Sequence, residues 1–143
     1  MHVENKLYPD EKQMAGFLEP DNGQPIYMLN LLKFKHKAEY KDGRETNLSG
    51  KEAYNMYAEG VETCLAKVGG SITFTAGINR LTIGNADDLW DEVVIVMYPS
   101  RTAMLQMMQL PEMAEISKHR KAGLAGQLNI ETSLETSLES LNS

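Results

Sequence analysis

The stretch Pro25-Ile-Tyr-Met-Leu-Asn-Leu-Leu-Lys-Phe-Lys35 decides the fold. It reads as a β-strand that is apolar on both faces and is interrupted by one amide, Asn30. A strand with one wet face alternates apolar and polar side chains, so near-continuous apolarity indicates that protein covers both sides. The later run Val93-Val-Ile-Val-Met-Tyr98 has the same character, whereas Ser71-Ile-Thr-Phe-Thr-Ala76 alternates. Two central strands and one edge strand are therefore predicted.

Length and composition narrow the class of protein. The 143 residues suit one domain with its own core, and the formal net charge of -6 argues against a nucleic-acid partner, which calls for a basic surface. The single cysteine, Cys64, excludes an intrachain disulfide. No signal-peptide pattern precedes the first strand, and no apolar run approaches the about 20 residues of a membrane helix. A cytoplasmic location without a membrane partner is expected.

Capping signals define the first half of the chain. Residues 1–24 are predicted to be an N-terminal extension that contains a short helix over residues 9–18. Ser49 and Glu52 fit a capping box that starts the first long helix. Gly69-Gly70 ends that helix, since glycine readily adopts the left-handed conformation of a C-terminal cap.

Turn residues and proline divide the second half. The predicted elements are, in chain order, an edge strand at 71–83 with a break near Gly77, a central strand at 89–98, a helix that begins after Ser100 and breaks at Pro111, a second helix at 111–124, and a final edge strand at 127–132. Residues 133–143 form a low-complexity tail of Ser, Leu and Glu. The folded domain is thus expected at residues 25–132.

The order of elements is β-α-β-β-α-β, which is the ferredoxin-like pattern of an α+β fold with an antiparallel sheet. Its first and third strands lie in the middle of the sheet, in agreement with their apolarity. The helices of this fold cover only one face of the sheet. A second copy of the same sheet is the economical cover for the other face, so we expect a two-fold homodimer in the form of a dimeric α/β barrel.

Several blocks of the sequence are similar to those of a known family. They are Met28-Leu-Asn-Leu-Leu-Lys-Phe34, Lys67-Val-Gly-Gly70, Trp90-Asp-Glu-Val-Val-Ile-Val96 with Tyr98-Pro-Ser-Arg101, and Leu110-Pro-Glu-Met-Ala114 with His119-Arg-Lys-Ala122. Residues 25–132 resemble the domain of unknown function 1330 (DUF1330) family of the dimeric α/β-barrel superfamily. That superfamily includes cofactor-free monooxygenases, muconolactone-type isomerases, haem enzymes and small-molecule binders. The resemblance implies a ligand cleft between sheet and helices without naming the ligand.

Arg120 is the first candidate for a ligand contact. On the predicted helix at 111–124 it lies on the same stripe as Met113, Ile116 and Leu124. A buried arginine requires a carboxylate partner or a bound anion. Two roles are open: its stem packs while its head reaches water or a carboxylate such as Glu92, or its guanidinium holds the carboxylate or enolate of a small ligand.

The other ligand-binding candidates are polar or aromatic groups among apolar neighbours. Asn30 is an amide in a central strand, and it serves either as a structural link or as a ligand contact. Tyr57 lies on the apolar stripe of the first long helix and Tyr54 flanks it, and core packing and a hydroxyl aimed into the cleft are both open. Trp90 and Glu92 share one face of the third strand.

Motifs for other chemistries are missing from the sequence. It contains no pattern typical of a dinucleotide site, a phosphate loop, a serine hydrolase or a zinc protease. His2, His36 and His119 lie far apart without paired cysteines, so no metal and no cofactor are predicted. His119 lies off the apolar stripe of its helix and is expected to be exposed rather than catalytic.

Two functions remain open, and with them the question of whether the chain is an enzyme. The first is the binding of a small anionic or carbonyl-bearing metabolite in the cleft between helices and sheet, with cofactor-free isomerase or monooxygenase chemistry. The second is a non-catalytic structural or ligand-binding homodimer whose cleft is filled by its own side chains. An open pocket that Arg120, Asn30 and a tyrosine reach would favour the first function.

Overall fold

The computed structural model describes residues 8–19 and 23–135. Its elements are, in chain order, α1 (Glu11–Phe17), β1 (Ile26–Phe34), α2 (Gly50–Lys67), β2 (Ser71–Gly77), β3 (Glu92–Tyr98), α3 (Arg101–Met108), α4 (Glu112–Gly123) and β4 (Leu124–Thr132). From β1 onward this is the predicted order, with α3 and α4 together in the place of the second helix. The tail predicted at 133–143 lies outside the described residues from position 136 onward.

The strands form one antiparallel sheet in the order β2-β3-β1-β4. The predicted positions of β1 and β3 at the centre are confirmed. This topology is the ferredoxin-like α+β fold.

Local capping explains where the first helices begin and end. The side chain of Asp10 accepts a hydrogen bond from the backbone of Gln13 and starts α1, which agrees with the short helix predicted at 9–18. Ser49 and Glu52 form the predicted capping box of α2. Gly69 then takes a φ of 78°, a left-handed conformation that suits glycine, and the chain turns into β2.

The predictions for β2 and β3 were too long. Residues 78–91 form a loop, so β2 ends at Gly77 rather than at Ile83, which is 89% exposed. The loop is held by Asp91, whose backbone N–H donates to the carbonyl of Leu32 and whose carboxylate accepts from the backbone N–H of Phe34 at 2.8 Å. Lys33 adds ion pairs from β1 to the same loop.

The last helix and strand are continuous. Ser100 caps α3 as predicted, and the chain breaks between α3 and α4 around Pro111. However, α4 ends at Gly123 and β4 begins at the next residue, three positions earlier than the predicted start at 127. The junction is fixed by β1, because the N–H of Lys35 donates to the carbonyl of Gly123 at 2.8 Å.

The two faces of the sheet have different surroundings. The helices cover the face that carries Ile26, Met28, Asn30 and Leu32 of β1, all of which are buried. We call this the helix face. The opposite side, the open face, is covered by no helix among the described residues, and its central side chains are apolar: Tyr27, Leu29, Leu31, Phe74, Val93, Ile95, Met97, Leu128 and Ile130. None of the helices within residues 8–19 and 23–135 has both the length and the apolarity to cross a membrane.

Candidate functional site

A cleft of about 1240 Å³ lies between the helix face of the sheet and the helices. Every strand and all four helices contribute to its wall. Apolar side chains provide the larger part of its lining, and polar and charged groups provide the rest. Those that bear on chemistry are Asn30, Tyr54, Tyr57, Glu92, Arg120 and Gln127.

Strand register brings the polar groups of the sheet together. Gly77, Glu92, Leu32 and Gln127 are successive partners across β2, β3, β1 and β4, and we call this line the Glu92 row. Asn30 lies two residues before Leu32 on β1, so it points to the same face in the adjacent row. In these two rows the floor of the cleft carries one acid, Glu92, and three amides, those of Asn30, Gln127 and Asn129.

A chain of hydrogen bonds joins Arg120 to the centre of the sheet. Arg120 Nη1 donates to Gln127 Oε1 at 2.8 Å, and Gln127 Nε2 donates to Asn30 Oδ1 at 2.8 Å. Asn30 Nδ2 donates in turn to the backbone carbonyls of Met28 and Val94 at 3.1 and 3.3 Å. The buried amide of Asn30 is thus a structural link, and it fixes the Gln127 side chain that positions the guanidinium.

One alternative that the sequence leaves open for Arg120, an ion pair with Glu92, is not found between these two residues. Gln127 binds Arg120 instead, and Gln127 and Glu92 stand on either side of Leu32 in the Glu92 row. Within the described ranges, no hydrogen bond or ion pair reaches the Glu92 carboxylate. Burial raises the pKa of Glu92, and the positive charge of Lys51 only partly opposes this effect.

Tyr54 and Tyr57 pack against each other in the wall of the cleft. Their rings pack together with centroids 5.5 Å apart, and both side chains line the cleft. Burial raises the pKa of both hydroxyls, so both stay protonated at neutral pH. The charge of Glu92 raises the pKa of Tyr54 further while Arg120 lowers it, as expected for a phenol that lies near both groups.

Two other residues lie away from the cleft. Trp90 does not line it, because β3 begins at Glu92 and the alternation of the strand does not extend back to Trp90. His119 is half-buried rather than exposed as expected, since the Tyr40 hydroxyl lies 2.6 Å from its Nδ1 and the two rings meet edge to face. No three His, Cys, Asp or Glu side chains within residues 8–19 and 23–135 are grouped as a metal site requires.

Sequence reasoning missed two contributors to the cleft. Gln127 was identified only as part of an edge strand, although the alternation of polar residues at 127, 129 and 131 was a signal that β4 turns a polar side to the helix face. The sequence predicts the N-terminal extension outside the domain, yet α1 and its flanks form one wall of the cleft. Tyr8 lies under the ammonium of Lys121, 4.9 Å from the ring centroid, and Arg101 donates to the backbone carbonyl of Glu19.

Comparison with known proteins places the chain among proteins of one family. No family model and no curated protein match the sequence. A crystal structure of the methylated RPA0582 protein is 32% identical, with 94% of this chain and 98% of that chain covered and a TM-score of 0.84. The chain belongs to the RPA0582 family. A second crystal structure, of the RPA0582 protein of unknown function from Rhodopseudomonas palustris, is 31% identical, covers 93% of this chain and 100% of that chain, and has a TM-score of 0.82.

More distant structures share the fold of the RPA0582 family. SnoaB, a cofactor-independent oxygenase from Streptomyces nogalater, is 10% identical, with 80% of this chain and 97% of that chain covered and a TM-score of 0.51. Hydroxynitrile lyase from Passiflora edulis is 11% identical with the same coverage and a TM-score of 0.52. Identities this low show the fold alone. The resemblance to the DUF1330 family stays a prediction, since no family model matches.

Proposed function

We propose that the cleft binds a small carboxylate that also carries a carbonyl group, and that Arg120 holds the carboxylate. The observation that carries the proposal is the chain of hydrogen bonds from Arg120 through Gln127 to Asn30. Gln127 accepts this hydrogen bond through an uncharged amide oxygen, and it orients the guanidinium. Oriented guanidinium groups bind carboxylates with strong, charge-assisted hydrogen bonds.

The rest of the cleft suits the same class of ligand. Its apolar lining accepts a carbon skeleton, and the protonated hydroxyls of Tyr54 and Tyr57 are donors for a carbonyl oxygen. The volume of about 1240 Å³ argues against the alternative of a cleft filled by its own side chains.

We also propose that the chain works as a homodimer formed through the open face. That face is a continuous apolar surface across four strands, with no charged side chain among its central residues. Such a surface is an aggregation hazard when it stays wet, and a second copy with the same shape and apolarity covers it. In this arrangement each copy keeps its own cleft on the helix face.

Substitution of Arg120 tests the binding proposal. We expect Arg120→Met to keep the fold, because methionine preserves much of the apolar stem, and to weaken the binding of 2-oxo carboxylates by ~1.5–3 kcal/mol, the usual contribution of a hydrogen bond to a charged group. Isothermal titration with phenylpyruvate and 2-oxobutanoate measures the affinity, and thermal unfolding measures the stability.

Lys118→Met is the matched control. Lys118 lies on the same helix and forms an exposed ion pair with Glu115, but it does not line the cleft. The same charge is removed there, so a general electrostatic effect would weaken binding in both variants. Equal affinity of the native chain and Arg120→Met for both probes would contradict the proposal.

A further inference from the structure

We propose that Glu92 is the general base of this cleft, and that it removes a proton from the carbon next to the carbonyl group of a bound 2-oxo carboxylate. The inference rests on the proposed function, because the ligand must be held at Arg120. It adds a reaction to the binding proposed above, namely cofactor-free proton transfer at carbon.

The positions of the two residues suit these roles, with Arg120 binding the carboxylate and Glu92 removing the proton. In the Glu92 row, Glu92 and Gln127 flank Leu32, and neighbouring strands lie about 4.8 Å apart, so the two backbones are about 10 Å apart. Arg120 is bound to Gln127 at the far side of this row. Leu32 itself is fully buried, but Asn30 and Val94 of the adjacent row line the cleft, so a short chain held at Arg120 can extend over them toward Glu92.

The surroundings of Glu92 leave its carboxylate able to accept a proton. Among the described residues, none donates a hydrogen bond or an ion pair to it. Its neighbour on β2 is Gly77, which has no side chain, and an added Cβ there would meet no atom within 4 Å. Burial raises the pKa of Glu92, which makes the carboxylate a better base near neutral pH.

The step balances without an oxidant or a metal. The C3–H bond of the 2-oxo carboxylate breaks, and its proton goes to a carboxylate oxygen of Glu92. The electron pair forms the C2–C3 double bond while the carbonyl pair moves onto oxygen, which gives an enolate. Tyr54 donates its O–H to that oxygen, since burial keeps its pKa above the usual range and the hydroxyl protonated. The proton then returns to carbon, at C3 or at the far end of a conjugated chain.

Hydrogen exchange at carbon is the direct test. The full chain is incubated in deuterium oxide with 2-oxobutanoate or phenylpyruvate, and the loss of the C3 proton signal is followed by NMR. We expect the native chain to accelerate exchange above the rate without protein, and Glu92→Gln to lower that enzymatic rate by about 100-fold or more, as is usual for loss of a general base. Glu62→Gln, an exposed acid on α2 outside the cleft, should leave it unchanged.

The outcomes separate this inference from the proposal on which it rests. Titration of the same probes reports binding independently of exchange. If the probes bind but the native chain does not accelerate exchange, or if a folded Glu92→Gln variant accelerates it equally, the inference is wrong and the binding proposal stands. If neither probe binds to the native chain, both are wrong. The exchange rate of the native chain is a test on its own, so the inference can be refuted even if the variant misfolds.

Discussion

Asn30 illustrates what the sequence predicts about a single residue and what only the structure shows. Its amide amid apolar neighbours predicted a buried polar group, and it is 7% exposed. Its role was not predictable, because the partner Gln127 is 97 positions away and reaches it only through the pairing of β1 with β4. In the same way, the helical stripe predicted that Arg120 faces the interior, but its hydrogen bond to Gln127 depends on a strand register that no local pattern encodes.

Removal of the Asn30 amide should be costly. Asn30→Leu leaves the Nε2 group of Gln127 without its acceptor, and we expect the free energy of unfolding to fall by about 1–3 kcal/mol, the penalty for an unsatisfied buried group. Urea unfolding followed by circular dichroism measures the change. Asn129→Leu is the control, since Asn129 is the partner of Asn30 on β4 but is exposed. An equal loss in both variants would contradict the role of Asn30 as a link.

At the scale of elements, the start of a helix that has a side-chain cap was predictable from the sequence. The boundary of a strand that depends on long-range contacts was not. The capping box at Ser49 and the cap at Ser100 are local chemistry, and both helices begin where these residues predict. The ends of β2 and β4 depend on contacts from other parts of the chain. Asp91 binds the loop after β2 to β1, and Lys35 binds the junction between α4 and β4.

Two glycines allow α2 and α4 to approach closely. A Cβ on Gly50 would lie 2.1 Å from the carbonyl oxygen of Lys35 and 2.6 Å from that of Gly123. Backbone atoms cannot move aside cheaply, so we expect Gly50→Ala to lower the free energy of unfolding by about 1–3 kcal/mol, as overpacking does. Thermal unfolding measures the change.

Gly16→Ala is the matched control for this substitution. Gly16 lies in α1, and a Cβ there meets no atom within 4 Å. Since alanine favours the helix more than glycine by up to about 1 kcal/mol, this variant should be neutral or slightly more stable. Equal melting temperatures for Gly50→Ala and the native chain would show that the helices do not need this close approach.

At the scale of the whole molecule, the apolar open face is the reason why we expect a dimer. The sequence predicted this face because β1 and β3 are apolar on both sides. A strand with one wet face would alternate apolar and polar side chains instead. Which residues lie on each face followed from the period of the strand. The extent of the cleft was not predictable, because one of its walls is the N-terminal extension, which the sequence predicts outside the domain.

A charge on the open face should separate the copies. Leu29 is opposite Ile95 and Ile130 at the centre of this face. The substitution Leu29→Glu would therefore bury an unpaired charge in the interface, which is costly. We expect sedimentation equilibrium at micromolar concentration to give twice the chain mass for the native chain and a lower mass for the variant. Met56→Glu, on an exposed position of α2, should not change the mass. A native chain that sediments as a monomer would contradict the dimer.

The direct passage from Gly123 to Leu124 limits how the family changes length during evolution. With no linker, one inserted residue turns the end of α4 by about 100° relative to β4, and Arg120 leaves the cleft. The loop at 78–91, by contrast, is fixed at its ends but exposed in its middle, as at Ile83, so added residues there would lie in solvent. We expect homologues that keep an arginine at the position of Arg120 to carry their insertions and deletions in that loop, and none at the junction.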